Sequence, residues 1–480
     1  MAELPVFVFP HDLRLEYSPR SHFPVPAFFT FVFTDAQGQH LHTACLRFHE
    51  LIPKEEVASL AKEVFGHDMG QVQWDEGMEF FCPKVICVVS QFPFYRYLHI
   101  IYIVGYVVAS DVPLCCMWSC RRAMGRYLKQ LYSLSLSPSQ CPLEHFISSV
   151  VAQVPVPVEG GRPFHVVLDA ALISETSRAM PPVCFDLPPR IFFPFMDLDF
   201  AGPMRCLSVD NMLALFCLLL QESKVIFLCS SNALLTEVME TFRSLLFPLT
   251  WTSCFITRLP DSLGGVLQAP GGFMIGLHMD ARDAEEIGAD HKQQHLGSKN
   301  YSVDHSWVQS LQSGTHIADL TDNKLYVFSG GKVELVTAGK VSGILRQLPQ
   351  GPFRKLQARI LSLGSKYRLC PQKFEGVGLV QFDSAFDCVS MDELSLPSGR
   401  KWVDFPSLAV RDAFFAFMCD ILSDFSRYIK PPEEVTTANS FAKSFHELFL
   451  IEVHSDHPAC VVFYLQIENV RTIFAMLTSR

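Results

Sequence analysis

The sequence has few charged residues and no strongly basic region. Charged side chains make up 18% of the 480 residues, and the formal net charge is −10. The basic clusters are short, as at Arg121 and Arg122, whereas proteins that bind nucleic acid normally present a basic face. We therefore expect no binding to DNA or RNA. Apolar residues make up 49% of the chain, which excludes a globally disordered protein.

The sequence also lacks the short motifs of common catalytic sites. It has no GxxxxGK[ST], GxSxG, HExxH or GxGxxG pattern, and Leu450 stands where the second metal-binding His of an HExxH motif would be needed. The 17 His are dispersed, and the paired glycines at 264–265 and 271–272 are typical of turns. We therefore expect no metal, no cofactor and no small-molecule substrate. This favours a binding protein over an enzyme that makes or breaks bonds.

Cysteine is present but without the spacing of a zinc site. The 16 Cys are scattered, and the densest cluster, CCMWSC at 115–120, has no matching group of His or Cys after it. This distribution is typical of buried thiols in a reducing compartment. The amino terminus, MAELPVFVFPHDLRL, shows no basic region followed by an apolar run. We therefore expect no secretory signal and a cytoplasmic location.

One apolar stretch, residues 98–118, raises the question of a membrane helix. A spanning helix needs about 20 mostly apolar residues, but the uninterrupted run at 100–109 has ten, and Asp111 and Pro113 follow it. A carboxylate near the centre of a span costs roughly 2.5–3.5 kcal/mol. The basic residues after the stretch would suit a cytoplasmic flank, so a membrane span stays open as the less favoured alternative.

A repeated tripeptide suggests that the apolar stretch is an insertion. Arg-Tyr-Leu occurs at 96–98 and again at 126–128. Without residues 99–128 the chain reads FPFYRYLKQLYSLSLS, and its apolar residues Leu98, Leu131, Tyr132 and Leu134 lie close to one helix face. The interrupted element is thus complete without these 30 residues, which comprise the intervening stretch and the second copy.

The first part of the chain alternates strand-like runs with turns. ELPVFVFP is strand-like, AFFTFVFTDAQGQHLHTACLRF predicts a hairpin around the turn at 35–38, and KVICVVSQFPF predicts a buried strand. Helices are expected at 53–65 and 141–154. The linker-like PVPVEGGRP at 155–163 predicts the first domain boundary.

The middle of the chain alternates helices and strands, which predicts an α/β layer architecture. LSVDNMLALFCLLLQES predicts a helix capped by Ser208, with Asp210 in its first turn. ALLTEVMETFRSLLF predicts a second helix, capped by Ser231 or Asn232 and ended by Pro248. The predicted strands are FHVVL, KVIFLCSS, WTSCFIT and GGFMIGLHM. A polar surface excursion at 280–316 and a hairpin over IADLTDNKLYVFSGGKVELV follow, and the last third, including 408–429 and NSFAKSFHELFLIEV, is predicted to be mainly helical.

The order of these segments resembles the tripartite DENN module. The upstream part resembles VFVFPHDLRL, FFTFVFTDAQGQHLHTACLRF, KVICVVSQFPFYRYL and LYSLSLSPSQCPLEHFISSVVAQVPVPVEGGRPFHV. The central part resembles the run from DLPPRIFFPF through LSVDNMLALFCLLLQES to WTSCFITRLP, followed by APGGFMIGLH. The downstream part resembles VRDAFFAFMCDILSDFSRYI. The matches occur in order over nearly the whole chain.

The resemblance implies an α/β, bilobal fold with three parts. These are an upstream longin-like lobe at 1–155, a central α/β unit at 156–335 and a mainly helical downstream part at 336–480. Two regions depart from the family pattern. Residues 99–128 have no counterpart, which suggests a translated intron or a splice variant, and HSDHPACVVFYLQIENVRTIFAMLTSR at the end does not resemble the family's last helices.

The resemblance also implies a function. DENN proteins act as guanine-nucleotide exchange factors on Rab-type small GTPases in vesicle trafficking and endocytosis, and hold the GTPase between their lobes. The implied partner is a Rab, with peripheral association to vesicle or endosomal membranes as a further expectation. The alternatives are a GTPase-binding scaffold and a membrane-anchored adaptor, both without exchange activity.

Five polar residues at the ends of the central helix are the candidate GTPase contacts. Asp210 and Asn211 belong to its first turn, and Glu222, Ser223 and Lys224 follow its end. The alternative for each charged residue is structural. Asp210 would then only stabilise the start of the helix, and Glu222 would pair with Lys224.

Overall fold

A computed structural model describes most of the first and middle parts of the chain. The described residues are 4–10, 15–19, 26–34, 40–65, 77–90, 101–104, 113–115, 128, 131–132, 135, 142, 144–148, 164–166, 183–185, 193, 200, 202–229, 232–278, 307–367 and 407–422. The chain divides into two compact units. The first comprises Met1–Asp197, Pro260–Ser262 and Leu379–Trp402, and the second Leu198–Leu259, Leu263–Gly378 and Val403–Arg480. The predicted linker at 155–163 lies outside the described residues, so the boundaries drawn from the sequence stay predictions.

The first unit is built on an antiparallel sheet. Its elements are α1 (Leu4–Val8), β1 (Glu16–Pro19), β2 (Ala27–Thr34), β3 (His40–Ile52), α2 (Lys54–Phe65), β4 (Met78–Ser90), β5 (Ile101–Val104) and β6 (Pro113–Cys115). The strand order is β2-β3-β4-β5-β6, and β1 pairs with the first residues of β4. A separate ladder joins β7 (Phe164–Val166) to β8 (Val183–Phe185). The predicted hairpin is confirmed, because β2 and β3 pair from Thr34 opposite His40 to Ala27 opposite Arg47.

Aromatic side chains cover the two faces of this sheet. On one face Phe7 of α1 stacks on Phe31 and Phe33 of β2, with ring centroids 5.9 and 4.9 Å apart. Successive strand residues point to opposite faces, and on the other face Phe48 of β3 lies 4.8 Å from the ring of Tyr132. Phenylalanines are therefore buried on both faces of the sheet.

The strand-like reading of ELPVFVFP is wrong, because Leu4–Val8 is a short helix. Leu4, Phe7 and Val8 are buried, at the i, i+3, i+4 spacing of one helix face. The amide of Phe9 donates to the carbonyl of Pro5 at 2.9 Å, and Pro5 stands in the first turn, where a helix tolerates proline. Contact with the phenylalanines of the sheet thus outweighs the strand preference of this aromatic, β-branched segment.

The described residues of the apolar stretch at 98–118 form strands. Ile101–Val104 pairs antiparallel with the last residues of β4, and Pro113–Cys115 pairs with Ile101–Val104 in turn. Within the described ranges no helix is both long and apolar enough to cross a membrane. The rest of 99–128, apart from Leu128, lies outside the described residues.

Four described residues lie where the joined element is predicted. Residues 128, 131, 132 and 135 are helical, and Leu128 and Leu131 are fully buried. Leu128, from the second Arg-Tyr-Leu copy, therefore takes the position that the sequence alone gives to Leu98 of the first copy. Residues 144–148 are helical as predicted for 141–154.

The second unit contains a mixed sheet with helices packed on it. Its elements are α3 (Gly202–Cys206), α4 (Val209–Leu220), β9 (Lys224–Cys229), α5 (Asn232–Leu245), β10 (Cys254–Ile256), β11 (Phe273–His278), β12 (His316–Asp319), β13 (Lys324–Ser329), β14 (Lys332–Leu335), α6 (Ala338–Leu345), α7 (Gln350–Tyr367) and α8 (Ser407–Ile421). The 3₁₀-helices are Asp261–Gln268 and Val308–Ser310. The sheet order is β10-β11-β9-β12-β13-β14, parallel from β10 to β12 and antiparallel from β12 to β14.

Helix α4 is the centre of the second unit. Residues 212–220 are all buried, which is the pattern of a helix covered on every side. The helix contacts β9, α6 and α7, and Phe216 packs edge-on against Phe414 and Phe417 of α8 at 4.7 and 5.9 Å between ring centroids. Helix α5 packs against β9 and β11.

Most element predictions for this unit are confirmed. The hydroxyl of Ser208 caps α4 by accepting a hydrogen bond from the amide of Asn211 at 3.3 Å. Helix α5 ends at Leu245, ahead of Pro248, whereas Ser231 lies outside the described residues. The hairpin β12–β13 is present, α8 corresponds to the helix expected at 408–429, and α6 and α7 lie in the third that was predicted to be mainly helical. NSFAKSFHELFLIEV and most of the polar excursion at 280–316 lie outside the described ranges.

Candidate functional site

The five candidate contact residues lie at opposite ends of α4. Asp210 and Asn211 belong to the first turn, and Glu222, Ser223 and Lys224 follow the last turn and begin β9. A helix of this length, 12 residues, is about 18 Å long at 1.5 Å per residue. The structure therefore brings the candidates together in two clusters, which we call the amino-end cluster and the carboxyl-end cluster.

In the amino-end cluster, Asp210 is exposed and held by a neighbouring helix. One oxygen of its carboxylate accepts a hydrogen bond from the side-chain amide of Gln357 on α7 at 3.0 Å. A carboxylate in the first turn of a helix is also favoured by the positive end of the helix dipole. Asp210 is thus an exposed anion whose side chain is oriented before any partner arrives.

Asn211 faces inward and has a structural role. Its side-chain amide donates to the backbone carbonyl and to the side-chain oxygen of Asn323, both at 3.0 Å. The same Asn323 oxygen accepts the amide of Ser208 at 2.8 Å. Asn323 has a left-handed backbone, with φ of 53°. These bonds attach the turn between β12 and β13 to the start of α4.

Asp319 is a second polar residue of the turn between β12 and β13. The buried carboxylate of Asp319 accepts the amides of Thr321 and Asp322 at 2.9 and 3.0 Å. Burial, followed by the carboxylates of Asp319 and Asp322, raises the pKa of Tyr326. Lys324 pairs with Asp322 at 3.4 Å. The turn that Asn323 attaches to the start of α4 therefore holds two carboxylates, of which Asp319 is buried and Asp322 is paired with Lys324.

In the carboxyl-end cluster, Glu222 closes the helix in a left-handed conformation. Its φ is 52°, its amide donates to the carbonyl of Leu219, and the amide of Ser223 donates to that of Leu218, both at 3.0 Å. This pair of bonds is the Schellman arrangement, whose left-handed residue is usually glycine. A glutamate at this position carries a backbone cost, and residues held in sparsely populated conformations cluster at functional sites.

Lys224 is committed to contacts within the fold. Its ammonium donates to the carbonyl of Ala269 at 3.0 Å and to the side-chain oxygen of Gln312. It also lies 5.9 Å from the ring centroid of Phe273. The amide of Gln312 in turn donates to the carbonyl of Gln268 at 2.6 Å. Lys224 thus joins the start of β9 to the segments before β11 and β12.

Gln357, Asn323 and Asp319 are polar residues that sequence reasoning missed. The Asp-Asn pair between two strands carries a turn signal, because both residues tolerate a left-handed backbone. Contacts across more than a hundred residues, such as that between Gln357 and Asp210, leave no trace in local spacing. Among the residues the structure describes, no group of three or more His, Cys, Asp or Glu side chains is placed to hold a metal ion.

Two ion pairs that involve α5 were not predicted from the sequence. Arg243 donates to one oxygen of the fully buried Glu240 carboxylate, at 3.2 Å from Nε and 2.7 Å from Nη2. The same guanidinium lies 5.1 Å from the ring centroid of Phe255, and Arg205 of α3 lies 4.0 Å from Glu237. The Glu240–Arg243 pair lies within α5, whereas Arg205 joins α3 to α5, and in each pair a buried carboxylate lies beside a partly buried guanidinium.

Comparison with known families gives two matches in order along the chain. The model of the uDENN domain matches residues 1–48, and that of the DENN (AEX-3) domain matches residues 107–294. The second match includes α3, α4, β9, α5, β10 and β11, and thus every candidate contact residue. It begins within the 99–128 segment, whose origin stays a prediction.

Three curated proteins are similar to this chain. The DENN domain and WD repeat-containing protein SCD1 of Arabidopsis thaliana is 22% identical over 422 residues, 87% of this chain and 27% of that protein. DENN domain-containing protein 3 of Mus musculus is 27% identical over 256 residues, 53% of this chain and 17% of that protein. Elicitor of plant defense protein 1 of Fusarium odoratissimum is 39% identical over 80 residues, 17% of this chain and 9% of that protein. The chain thus spans about a quarter of the first relative and less of the others.

Proposed function

Because this chain belongs to the DENN domain family, we propose that it is a guanine-nucleotide exchange factor for a Rab-type small GTPase. The observation that carries the proposal is the ordered pair of family matches, at 1–48 and 107–294. DENN domain proteins generally act on Rab GTPases in this way and perform no bond-making chemistry. The proposal includes the family's bilobal arrangement, with a longin-like lobe at 1–155, a central unit at 156–335 and a downstream part at 336–480.

Exchange would follow from preferential binding to one state of the GTPase. A Rab holds GDP tightly together with Mg²⁺, and a partner that prefers the nucleotide-free form must weaken nucleotide binding by the same factor. The exchange factor does this by displacing one switch region and holding the other. GTP then enters and releases the exchange factor, which needs no cofactor of its own.

Asp210 and Glu222 are our choice for the polar contacts to the switch regions. Asp210 is exposed and already oriented by Gln357. Position 222 is a glutamate although its left-handed backbone would suit glycine better. A carboxylate suits the backbone amides and basic side chains of a GTPase surface. Asn211 and Lys224 would act by keeping the two ends of α4 in place, and Ser223 by its backbone bond in the helix cap.

We place this activity in the cytoplasm, in vesicle trafficking and endocytosis. A Rab is anchored to membranes by lipid, so an exchange factor meets it at a vesicle or endosomal surface. Peripheral association with such a surface, without a spanning segment in the exchange factor, is sufficient for the reaction.

The decisive experiment is release of fluorescent GDP from a panel of Rab proteins. The full chain and a version lacking 99–128 are compared with a no-protein control. Faster release from at least one Rab supports the proposal, and activity in the shortened version alone identifies 99–128 as a disabling insertion. Binding to a Rab without faster release would replace exchange by the scaffold alternative. Carbonate-resistant membrane association that is lost with 99–128 would favour the anchored adaptor.

Site variants then test the two carboxylates. A hydrogen bond to a charged group contributes about 1.5–3 kcal/mol, so Asp210→Asn and Glu222→Gln should each slow GDP release roughly 10- to 100-fold. The matched control is Glu334→Gln, since Glu334 is an exposed carboxylate paired with Lys340 at 3.2 Å on β14. Equal rates for all three variants and the unmodified chain would remove these residues from the proposed contact surface.

A further inference from the structure

Two buried cysteines of the first unit face each other across adjacent strands. Cys45 of β3 is directly opposite Cys87 of β4 in the antiparallel register, and their sulfur atoms are 3.2 Å apart. Both residues are 0% exposed. Phe29 of β2, which is also buried, is the next residue in the same cross-strand row.

The backbone geometry at this pair already suits a disulfide. Directly opposed residues of antiparallel strands have Cα atoms about 4.5–5.5 Å apart, within the range of about 4.4–6.8 Å found across disulfides. The sulfur atoms would need to approach by about 1.2 Å to reach bonding distance. Side-chain rotation suffices for a movement of this size, so the strands can keep their register.

From this geometry we propose that Cys45 and Cys87 form a peroxide-sensitive dithiol site, which closes to an intramolecular disulfide. In the first step one thiolate attacks hydrogen peroxide, and the products are a sulfenic acid and hydroxide, which takes up the thiol proton to give water. In the second step the other thiol displaces water from the sulfenic sulfur. Two thiols and one peroxide thus give one disulfide and two waters.

The burial of the two thiols and the short distance between their sulfur atoms favour a disulfide as the product. A small neutral peroxide can reach sulfur atoms that a bulky reagent cannot, and the second thiol stands within 3.2 Å of the first. The sulfenic acid is therefore captured as a disulfide before a second peroxide can convert it irreversibly to a sulfinic acid. The cross-link would join β3 to β4, between which α2 lies in sequence. It would close a loop of 42 residues, which reduces the conformational freedom of the unfolded chain.

Other described cysteines have different surroundings. The thiol of Cys82, on the same strand, donates to the carbonyl of Pro83 at 3.8 Å, and that of Cys217 donates to the carbonyl of Ile344 at 3.6 Å. Burial raises the pKa of Cys82, Cys206, Cys217 and Cys254. The second sulfur atom 3.2 Å away is therefore the feature that distinguishes Cys45 and Cys87.

The test maps the cysteines of the full 480-residue chain after titration with hydrogen peroxide. Remaining thiols are alkylated, and the protein is digested without reductant and analysed by mass spectrometry. We expect a linked peptide pair containing Cys45 and Cys87, two hydrogens lighter than the sum of its parts and separated again by dithiothreitol. The result would be overturned if peroxide that fully oxidises the exposed Cys419 leaves Cys45 and Cys87 as thiols, or links either to another cysteine.

Variants supply the matched controls. Cys45→Ala and Cys87→Ala should each abolish the link and leave the remaining cysteine as a sulfenic acid, which the reagent dimedone labels once the protein is unfolded, whereas Cys82→Ala should leave the link unchanged. The melting temperature should rise by several degrees on oxidation of the unmodified chain and of Cys82→Ala, and should not rise for Cys45→Ala. The mapping of the unmodified chain does not depend on the folding of any variant. An oxidation-induced rise that persists in Cys45→Ala would contradict the proposal.

Discussion

Single residues at the carboxyl end of α4 depend on a close approach between two backbones. A Cβ atom on Gly272 would lie 1.9 Å from the carbonyl oxygen of Glu222, which is far shorter than any real contact of this kind. Gly272 therefore stands beside Glu222 because only a residue without a side chain fits there. The left-handed Glu222 and the glycine form one local arrangement that joins α4 to the start of β11.

This arrangement predicts the effect of adding one methyl group. Gly272→Ala forces the backbone of one segment to shift, and overpacking of this kind typically costs about 1–3 kcal/mol. Gly343→Ala is the control, because Gly343 lies inside α6 and a Cβ atom there would meet no neighbouring segment within 4 Å, so this substitution should add about 0.5–1 kcal/mol of stability. Urea unfolding midpoints measure both, and a neutral Gly272→Ala would show that the two segments separate easily.

A half-buried histidine predicts how the second unit responds to acid. Burial lowers the pKa of His316 to about 4, and the residue lies between Val225 of β9 and Val327 of β13. Between about pH 6.5 and pH 4 the unfolded chain binds a proton at this site and the folded chain does not. Stability therefore falls as the pH falls through this window, by about 3 kcal/mol for the full shift.

The measurement is the free energy of unfolding between about pH 7 and about pH 4.5. His316→Gln removes the titrating group, so its unfolding free energy should change less steeply with pH than that of the unmodified chain. Burial also lowers the pKa of His49 in the first unit, and His49→Gln is the control for a contribution from that unit. Identical pH profiles for His316→Gln and the unmodified chain would exclude His316 as the source.

Among the elements, the helical residues Leu128, Leu131, Tyr132 and Ser135 show that a chain can contain two alternative sequences for one structural position. Leu128 is fully buried there, although Leu98 has the same two preceding residues, Arg-Tyr. Leu128 stands three and four residues before Leu131 and Tyr132 in the full chain, and Leu98 would have the same spacing if residues 99–128 were removed. We therefore expect the element to tolerate removal of 99–128, because the first copy can replace the second.

We predict that Leu128 stabilises this element in the full chain and that Leu98 does so in the chain lacking 99–128. Leu128→Ala should cost the full chain about 2–5 kcal/mol, the usual range for a buried leucine, and Leu98→Ala should cost clearly less. In the chain lacking 99–128, Leu98→Ala should cost about as much as Leu128→Ala does in the full chain. The comparison uses urea unfolding, and equal costs for both substitutions in the full chain would contradict it.

The elements also show what local sequence can predict. The capped helix α4, the strand β9 and the hairpin β2–β3 follow from local spacing and turn residues, because the signals lie within a dozen neighbouring positions. The strand predicted where α1 stands is wrong, because contact with the distant Phe31 and Phe33 determines the conformation of that segment. The separation of Asp210 from Glu222 follows from helix length alone, but the bonds from Gln357 and Asn323 to the amino-end cluster required the tertiary fold.

For the whole molecule, α8 is the element that completes the second unit. Its six buried residues, Val410, Ala413, Phe414, Phe417, Met418 and Ile421, include the two phenylalanines that cover Phe216. Full burial of a large apolar side chain contributes about 1.5–3 kcal/mol, so the helix contributes on the order of the entire stability of a domain, about 5–15 kcal/mol. The unit cannot be expected to fold without it.

Two truncated chains test this dependence. A chain that ends at residue 406 lacks α8, and a chain that ends at residue 422 retains it. We expect the shorter chain to lose most of its soluble monomer in size-exclusion chromatography and to bind a hydrophobic dye more strongly, whereas the longer one remains closer to the full chain. Equal recovery of soluble monomer from both would mean that α4 is adequately covered without α8.

The complete burial of α4 has a consequence for synthesis on the ribosome. The helix ends at Leu220, whereas α8 begins at Ser407. At roughly 5–20 residues per second, α8 is made roughly 10–40 s after α4. During that interval the side of this apolar helix that carries Phe216 lacks the helix that covers it. The nascent protein is therefore a natural client for a chaperone that holds apolar segments until translation is complete.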